Sequence, residues 1–286
     1  MRGAVPEVGV VVVTRNRKRS LLRTLAHLRA LPERPPIVVV DNGSEDGTAA
    51  AVGDDVTLVR LDGNHGAAAR TAGVRVLETE AIAFSDDDSW WAPGSLARGA
   101  EELAAHPALG LIAARILVGP ESRLDPTCLA MANSPLPPVP GLPGPAVLGF
   151  LACGAIVRRR AYLGVGGFHR HMGVGAEESL LALDLAAAGW GLAYVEDIVA
   201  HHHPWRAGSG GRERRSIVLR NLFWAAWLRR PAPRALALTA ALTLACVREG
   251  LPRALLDAVR GLPWVLHERR VLPPEVERAA RLLSWS

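Results

Sequence analysis

The 286-residue sequence lacks the cysteine and lysine content that several protein classes require. Its three cysteines, Cys128, Cys153 and Cys246, are widely spaced and contain no Cys-x-x-Cys pair, which argues against a disulfide scaffold and favours a reducing compartment. Lys18 is the sole lysine, whereas arginine, alanine, glycine and proline are abundant. This bias suggests a GC-rich bacterial genome.

Long apolar runs are also missing. The longest one near the C-terminus, residues 235–247, falls short of the roughly 20 residues that span a bilayer. A short apolar run near the N-terminus is followed at once by four basic residues, without a small-residue cleavage site, so we interpret it as a first β-strand and not as a signal peptide. We therefore expect no transmembrane helix and a cytoplasmic protein, with peripheral contact at the inner face of the membrane as a further hypothesis.

Two nucleotide-binding motifs are absent as well. A dinucleotide-dependent oxidoreductase needs Gly-x-Gly-x-x-Gly after its first strand, but here that loop is Thr14-Arg15-Asn16-Arg17. A P-loop kinase needs Gly-x-x-x-x-Gly-Lys-Ser/Thr, which the chain does not contain. Zinc-finger, RNA-recognition and homeodomain signatures are missing too, so we expect no nucleic-acid partner.

What is present predicts an α/β fold. Short apolar runs at residues 10–13, 37–40, 56–61 and 81–84 each end in polar residues and are typical of buried parallel strands. Helix-compatible segments lie between them, at residues 20–30, 46–52 and 67–77. The alternation predicts a doubly wound, mostly parallel sheet flanked by helices, in which ligands bind beyond the carboxyl ends of the strands.

The second half of the chain divides into four predicted parts. These are a helix at 94–105, a proline-rich loop at 133–148, a helix at about 177–188 with a strand at 192–195, and a helical remainder from about residue 212. The loop either borders an acceptor pocket or is a surface loop without a role in binding. We predict a catalytic domain over residues 1–203 and a helical C-terminal extension over residues 204–286.

The extension is basic, whereas the body of the chain is mildly acidic. From Pro204 onward fifteen arginines face six acidic residues, a balance of +9, and the preceding residues carry −4. Such a surface suits an anionic membrane, a phosphorylated acceptor or another subunit. A solvated arginine-rich helical surface explains the same pattern.

The strongest chemical signal is Asp86-Asp87-Asp88 at the end of an apolar run. Adjacent carboxylates repel one another, and a divalent cation relieves that repulsion. Mn²⁺ or Mg²⁺ would take one or two of these carboxylates and fill its other positions with diphosphate oxygens. An acidic surface turn is the alternative interpretation.

Five stretches then occur in order: VVVVTRNR, VVVDNGSEDGT, GNHGAAARTAGV, FSDDDSWW and GAEESLLALDLAAAGWGLAYVEDIVAHHH. Together they resemble family two of the inverting glycosyltransferases, including its rhamnosyltransferase-like bacterial members. The resemblance implies a GT-A fold and transfer of a sugar from a UDP-, dTDP- or GDP-sugar. The acceptor would be a glycolipid, a polysaccharide or a small natural product.

The resemblance also implies roles for individual donor-site residues. Thr14 and Asn16 would lie against the nucleotide, Asp41 would contact its base, and Asn64, Gly66 and Arg70 would close the donor site. Asp86 would lie near the ribose, Asp87 beside the nucleotide, and Asp88 would bind the metal. Two simpler alternatives stay open: Asp41 caps the following turn, and Arg70 lies on a helix surface.

For the chemical step, the resemblance points to Glu178 as the general base with Glu177 in reserve. The family's usual Glu-Asp pair is Glu-Glu here, and Leu180 stands where another acid is frequent. The alternative is that both are ordinary helix N-terminal acids. His201, the first of three histidines, is the expected further metal ligand; His202 and His203 would serve the acceptor side or be exposed.

A sugar or acceptor pocket is expected around Trp90, Trp91, Cys153 and Gly154, although core packing is the alternative for at least one tryptophan. Two rival functions stay open. A sugar-nucleotide nucleotidyltransferase shares the fold and the metal chemistry but would release diphosphate from a nucleoside triphosphate. A non-catalytic sugar-nucleotide-binding protein would not need Asp86, Asp88 and Glu178.

Overall fold

A computed structural model describes residues 8–204 and 211–283. Within these residues one nine-stranded sheet forms the centre of the molecule, in the order β3-β2-β1-β4-β8-β6-β9-β5, with the short β7 paired to β6. The strands are β1 (Val8–Thr14), β2 (Ile37–Asp41), β3 (Thr57–Arg60), β4 (Ala81–Asp86), β5 (Ser89–Trp91), β6 (Leu109–Val118), β7 (Arg123–Leu124), β8 (Ala155–Arg158) and β9 (Gly191–His202).

Ten α-helices accompany the sheet within the same described ranges. They are α1 (Lys18–Arg29), α2 (Arg70–Val76), α3 (Ser95–Ala105), α4 (Pro126–Ala132), α5 (Arg159–Gly164), α6 (Glu177–Ala187), α7 (Gly211–Arg229), α8 (Ala232–Arg248), α9 (Pro252–His267) and α10 (Pro274–Leu282). None of the helices in this part of the chain is both long and apolar enough to cross a membrane.

The first half of the sheet confirms the predicted parallel arrangement. β3, β2, β1 and β4 are parallel neighbours, and the valines of β1 and β2 are almost wholly buried because helices cover both faces. The register aligns Thr14 with Asp41 and Val13 with Asp86. The polar residues that end these strands therefore meet at one edge of the sheet.

The predicted helix at residues 46–52 is wrong apart from one short turn. Only a 3-10 turn forms there, at Ala49–Ala51. Asp46 accepts a hydrogen bond from the backbone N–H of Thr48 at 2.9 Å, and Gly47 has a φ of +79°. A side chain that bonds its own backbone in this way competes with helix formation.

The second half of the sheet is mixed, and its strand β9 is much longer than the predicted strand at 192–195. β9 pairs in parallel with β6 and in antiparallel with β5, and it continues to His202 after an irregularity beyond Val195. Glu196 and Asp197 are exposed at this irregularity. These two charges interrupt the apolar pattern, which is why the sequence indicates an earlier end. Residues 133–148 form the irregular segment that their prolines predict.

The C-terminal helices pack against the segment that precedes α6. Asn221 of α7 is fully buried, and its side-chain amide donates to the carbonyl oxygens of Met172 at 2.6 Å and Gly175 at 2.5 Å. The buried ion pair between Arg230 and Glu277 ties α10 to the end of α7. The contacts of Asn221 thus hold the segment that leads into α6.

Candidate active site

A cleft of about 770 Å³ opens at the carboxyl ends of β1 and β4. The loop after β3, the 3-10 turn Ala152–Gly154 and the first turns of α6 and α7 complete its walls. Ten of the residues that the sequence singles out line this cleft. They are Thr14, Asn64, Gly66, Arg70, Asp86, Asp87, Asp88, Cys153, Glu177 and Glu178.

The acidic triplet forms the end of β4 and the tight turn into β5. The backbone N–H of Asp86 donates to Ser89 Oγ at 2.8 Å, which closes the turn. Asp87 is buried and accepts from Thr14 Oγ1 at 3.0 Å. Burial raises the pKa of Asp87 to about 7, although the charge of Arg17 acts in the opposite direction. The turn therefore holds two buried carboxylates, Asp87 and Asp88, side by side.

Arg17 is a functional candidate that the sequence interpretation missed. Its guanidinium Nη1 lies 3.4 Å from Asp87 Oδ1 and 3.2 Å from Asp88 Oδ2, and its side chain is 38% exposed. It therefore partly neutralises the acidic turn from the solvent side. The sequence does contain a signal for Arg17, because this residue belongs to the same polar cluster after β1 as Thr14 and Asn16.

Arg70 is buried, not on a helix surface. It forms an ion pair with Asp86, and its guanidinium carbon lies 5.4 Å from the centre of the Phe168 ring. Burial opposes its charge, but Asp86, Glu177 and Glu178 together raise its pKa above the ordinary arginine value. Arg70 Nε has no hydrogen-bond acceptor among the described residues. The cation thus links the acidic turn to the glutamates of α6.

Asn42, another residue that sequence reasoning left out, organises the loop after β3. It is buried, donates to Asn64 Oδ1 at 3.1 Å and accepts from the backbone N–H of His65 at 2.8 Å. Gly66 then lies against Gly173: a Cβ at position 66 would come within 2.5 Å of Gly173 Cα. The backbone N–H of Ala67 donates to Gly173 O at 2.9 Å, so the two loops are in direct backbone contact.

Glu177 and Glu178 begin α6 after Ala176, which has a φ of +64°. Glu177 is buried and accepts from the backbone N–H of Gly175, whereas Glu178 is half-buried and lines the cleft. Burial and the adjacent Glu178 raise the pKa of Glu177 to about 8. Burial also raises the pKa of Glu178, while Arg70 and a hydrogen bond with Glu177 act to lower it. The two glutamates thus form a closely coupled pair in which burial raises both pKa values.

The expected position of His201 needs correction. Because β9 continues to His202, successive histidines point to opposite faces of the strand. The ring centres of His201 and His203 lie 6.0 and 4.6 Å from that of Trp90, away from the cleft. His202 lines the cleft instead, with Nε2 at 3.5 Å from Asp88 Oδ1. Burial lowers the pKa of His202, but Asp88 outweighs this effect and raises it overall.

Five other predicted residues also lie outside the lining of the cleft. Asn16 joins the loops after β1 and β2, since its side chain accepts from Glu45 N at 2.8 Å. Asp41 accepts from the backbone N–H of Ser44 at 3.1 Å, as its capping alternative predicts.

The remaining three are packing residues. Trp90 stacks on His27 with ring centres 3.9 Å apart, and Trp91 is 1% exposed in the core. Gly154 packs under Ile116, where a Cβ would come within 2.6 Å of a side-chain carbon. Cys153 does line the cleft, but burial raises the pKa of its thiol well above the ordinary value. A nucleophilic thiolate is therefore disfavoured.

The cleft wall offers few protein ligands for a divalent metal. Within the described residues no group of three or more His, Cys, Asp or Glu side chains is arranged to hold an ion. Asp88 and His202, 3.5 Å apart at the cleft wall, fit a site in which the protein supplies one or two ligands. Mg²⁺ and related ions are commonly bound in this manner, with phosphate oxygens and water completing the coordination.

Residues 9–164 match the family described as "Glycosyl transferase family 2". The match covers more than half of the chain, which belongs to this family and is a glycosyltransferase. The succinoglycan biosynthesis protein ExoU of Rhizobium meliloti (strain 1021) is 34% identical over 104 residues, which are 34% of this chain and 30% of ExoU. The similarity thus spans under a third of that relative.

Solved structures show the same fold. The mannosyltransferase PcManGT from Pyrobaculum calidifontis, in complex with GDP-Man and Mn²⁺, superposes with a TM-score of 0.62 at 24% identity, over 99% of this chain and 79% of PcManGT. S. aureus TarS in complex with UDP-GlcNAc superposes with a TM-score of 0.59 at 17% identity, over 77% of this chain and 66% of the TarS chain. The predicted GT-A fold is confirmed.

The contact between Gly66 and Gly173 predicts that Gly66→Ala separates two walls of the cleft. The added Cβ would clash with backbone atoms of Gly173, so we expect the free energy of unfolding to fall by about 1–3 kcal/mol beyond the strain of a positive φ, and transferase activity to be lost. Gly47→Ala is the matched control, because Gly47 also has a positive φ but no atom of the described residues within 4 Å of its Cβ position. Urea unfolding and initial rates measure both effects. Equal losses in the two variants would show that the loop contact is unimportant.

Proposed function

We propose that this family 2 glycosyltransferase moves a sugar from a nucleotide-diphosphate donor to an acceptor hydroxyl with inversion, and that Glu178 is the general base. The supporting observation is the position of Glu178 between two cavities. It lines the polar cleft with the acidic turn, and it also lines a mostly apolar cavity of about 390 Å³ that includes Met131, Phe150 and Leu151. A general base must lie within hydrogen-bond reach of the acceptor hydroxyl, and that hydroxyl must lie next to the donor sugar.

The neighbouring charges support the same assignment within the pair. Burial raises the pKa of both glutamates, that of Glu177 to about 8, whereas Arg70 and the hydrogen bond with Glu177 favour the ionised form of Glu178. An ionised Glu178 can remove the acceptor proton as the hydroxyl oxygen attacks the anomeric carbon. Glu177 would hold its neighbour in place and keep it charged.

The donor would occupy the polar part of the cleft, with the nucleotide near Thr14 and Asn64 and its diphosphate near Arg70. Arginine forms charge-assisted hydrogen bonds to phosphate, and Arg70 Nε has no acceptor among the described residues. PcManGT and TarS are solved with GDP-Man and UDP-GlcNAc, which supports a GDP-, UDP- or dTDP-sugar as the class of donor. Asn16 and Asp41 would act indirectly, by shaping the loops around the nucleotide.

The acceptor would enter through the apolar cavity. The likeness to a succinoglycan biosynthesis protein supports a polysaccharide or its glycolipid precursor as acceptor, ahead of a small natural product. We propose residues 1–203 as the catalytic unit and residues 204–286 as an extension that supports it, since Asn221 binds the segment before α6.

We further propose that Mn²⁺ or Mg²⁺ is the cofactor and that Asp88 and His202 would hold it. Such an ion, when bound, neutralises charge on the departing nucleotide diphosphate. The proposal rests on the pair of side chains at the cleft wall and on the Mn²⁺ recorded with PcManGT. Arg17 would then exchange its contact with Asp88 for contact with phosphate.

Glu178→Gln should slow the chemical step by roughly 10²-fold or more and leave donor affinity unchanged, because glutamine keeps the shape but is not basic. Glu177→Gln should retain most activity, since its amide still donates to Glu178. A thermal-shift panel of UDP-, dTDP- and GDP-sugars identifies the donor, and single-turnover rates and calorimetry then separate chemistry from binding. Wild-type turnover by Glu178→Gln would contradict the assignment, and an inactive Glu177→Gln would move it by one residue.

Asp88→Asn should weaken Mn²⁺ binding, measured by electron paramagnetic resonance of free Mn²⁺ in the presence of UDP or GDP, and should abolish transfer. Asp54→Asn is the control, because Asp54 is an exposed carboxylate remote from the cleft lining. Undiminished transfer by the wild-type protein in excess chelator would refute the metal proposal. The base assignment would be unaffected by that result.

A further inference from the structure

The outer sides of α8 and α9 expose an unusual number of large apolar residues. Six of the thirteen large apolar side chains that are exposed in the described residues belong to these two helices, with exposures from 48% to 67%. They are Leu236, Leu244, Val247, Leu256, Val259 and Leu266, and they define what we term the α8–α9 face. Soluble surfaces rarely carry so many apolar side chains together.

The spacing of these residues puts them on one side of each helix. At 100° per residue the three residues of α8 fall within an arc of about 80°, and so do the three of α9. The opposite sides are buried against α7 through Cys246 of α8 and Ala254 and Ala258 of α9. The two helices are joined by a short turn at Gly250, with a φ of +64°. The apolar sides of both helices therefore face away from α7.

Arginines flank this surface with few acids to balance them. Arg253 and Arg260 have side chains that are 81% and 76% exposed, and Arg248 and Arg270 are exposed as well. The Asp257 carboxylate lies 3.6 Å from Arg253 Nε and 3.0 Å from Arg260 Nη1, so one negative charge balances two arginines. Glu249, at the turn, is already bound by Arg215 at 2.7 Å. The face is both apolar and cationic.

We propose that the α8–α9 face binds peripherally to an anionic lipid bilayer. Leucine and valine would enter the boundary between headgroups and acyl chains, and the flanking arginines would contact lipid phosphates. A second copy of the chain is a poorer occupant, because a two-fold contact would bring the same arginines together.

The α8–α9 face is connected to the cleft through α7. α8 and α9 pack on α7, and the first turns of α7 line the cleft through Glu213, Arg214 and Ile217. A bilayer bound at the face would thus lie one helix away from the cleft. An acceptor anchored in lipid would reach the site over a short distance.

Vesicle sedimentation without donor or acceptor tests this proposal. At low ionic strength we expect the full chain to bind vesicles that contain phosphatidylglycerol and not vesicles of phosphatidylcholine alone, and salt should weaken the binding. Val247→Gln/Val259→Gln and Arg253→Glu/Arg260→Glu should each bind roughly tenfold more weakly. Val76→Gln/Leu129→Gln is the matched control, because these residues are 47% and 55% exposed elsewhere on the molecule.

Thermal unfolding should be nearly unchanged in the two apolar variants, since the altered side chains are exposed, whereas the arginine variant also loses its two ion pairs with Asp257 and is measured at a temperature at which it stays folded. The proposal is overturned if the wild-type chain does not bind the anionic vesicles, or if the control pair weakens binding as much as the face variants do. It is also overturned if the wild-type chain is a dimer in solution that the apolar variant dissociates while vesicle binding persists. None of these results bears on whether sugar transfer occurs.

Discussion

The organisation of the cleft depends on one buried cation, Arg70, held between carboxylates of two different elements. It forms an ion pair with Asp86 at the end of β4, and it carries a favourable electrostatic interaction with both glutamates of α6. Burying a guanidinium is costly unless such partners are present. In turn, the glutamates could not both approach a triplet of aspartates without a positive charge between them. Removing Arg70 would therefore disturb the acidic turn and the proposed base together.

Backbone packing holds these charges at fixed separations. Gly66 and Gly173 bring the loop after β3 against the segment before α6, and the second segment is bound from behind by Asn221. The C-terminal helices are thus part of the architecture of the site. This arrangement explains how a helical extension can influence a cleft whose chemistry lies almost entirely on the α/β sheet.

The sequence predicts the parallel half of the sheet, the acidic turn and the pair of glutamates, because each of these features is formed by a short run of consecutive residues. The sequence predictions were wrong where the role of a residue depends on which face of its strand it occupies. His201 and His202 differ only in the side of β9 that they face, and the strand's true length was hidden by Glu196 and Asp197. Trp90 follows the acidic triplet in sequence but turns towards α1, where it stacks on His27. Asn42 makes long-range contacts that no local pattern reveals.

The central claim is that sugar transfer requires an ionised Glu178 whose pKa is raised by burial. Burial places the pKa of Glu178 above the ordinary value of 4.5, although Arg70 and the hydrogen bond with Glu177 act in the opposite direction. The pH dependence of the transfer rate, at saturating donor and metal, tests this most directly. Because the ionised form is the active one, the rate should rise with pH through a midpoint above 4.5, and the same rise should persist in Glu177→Gln. A midpoint at the ordinary value, or a rate that does not change with pH, would contradict the account.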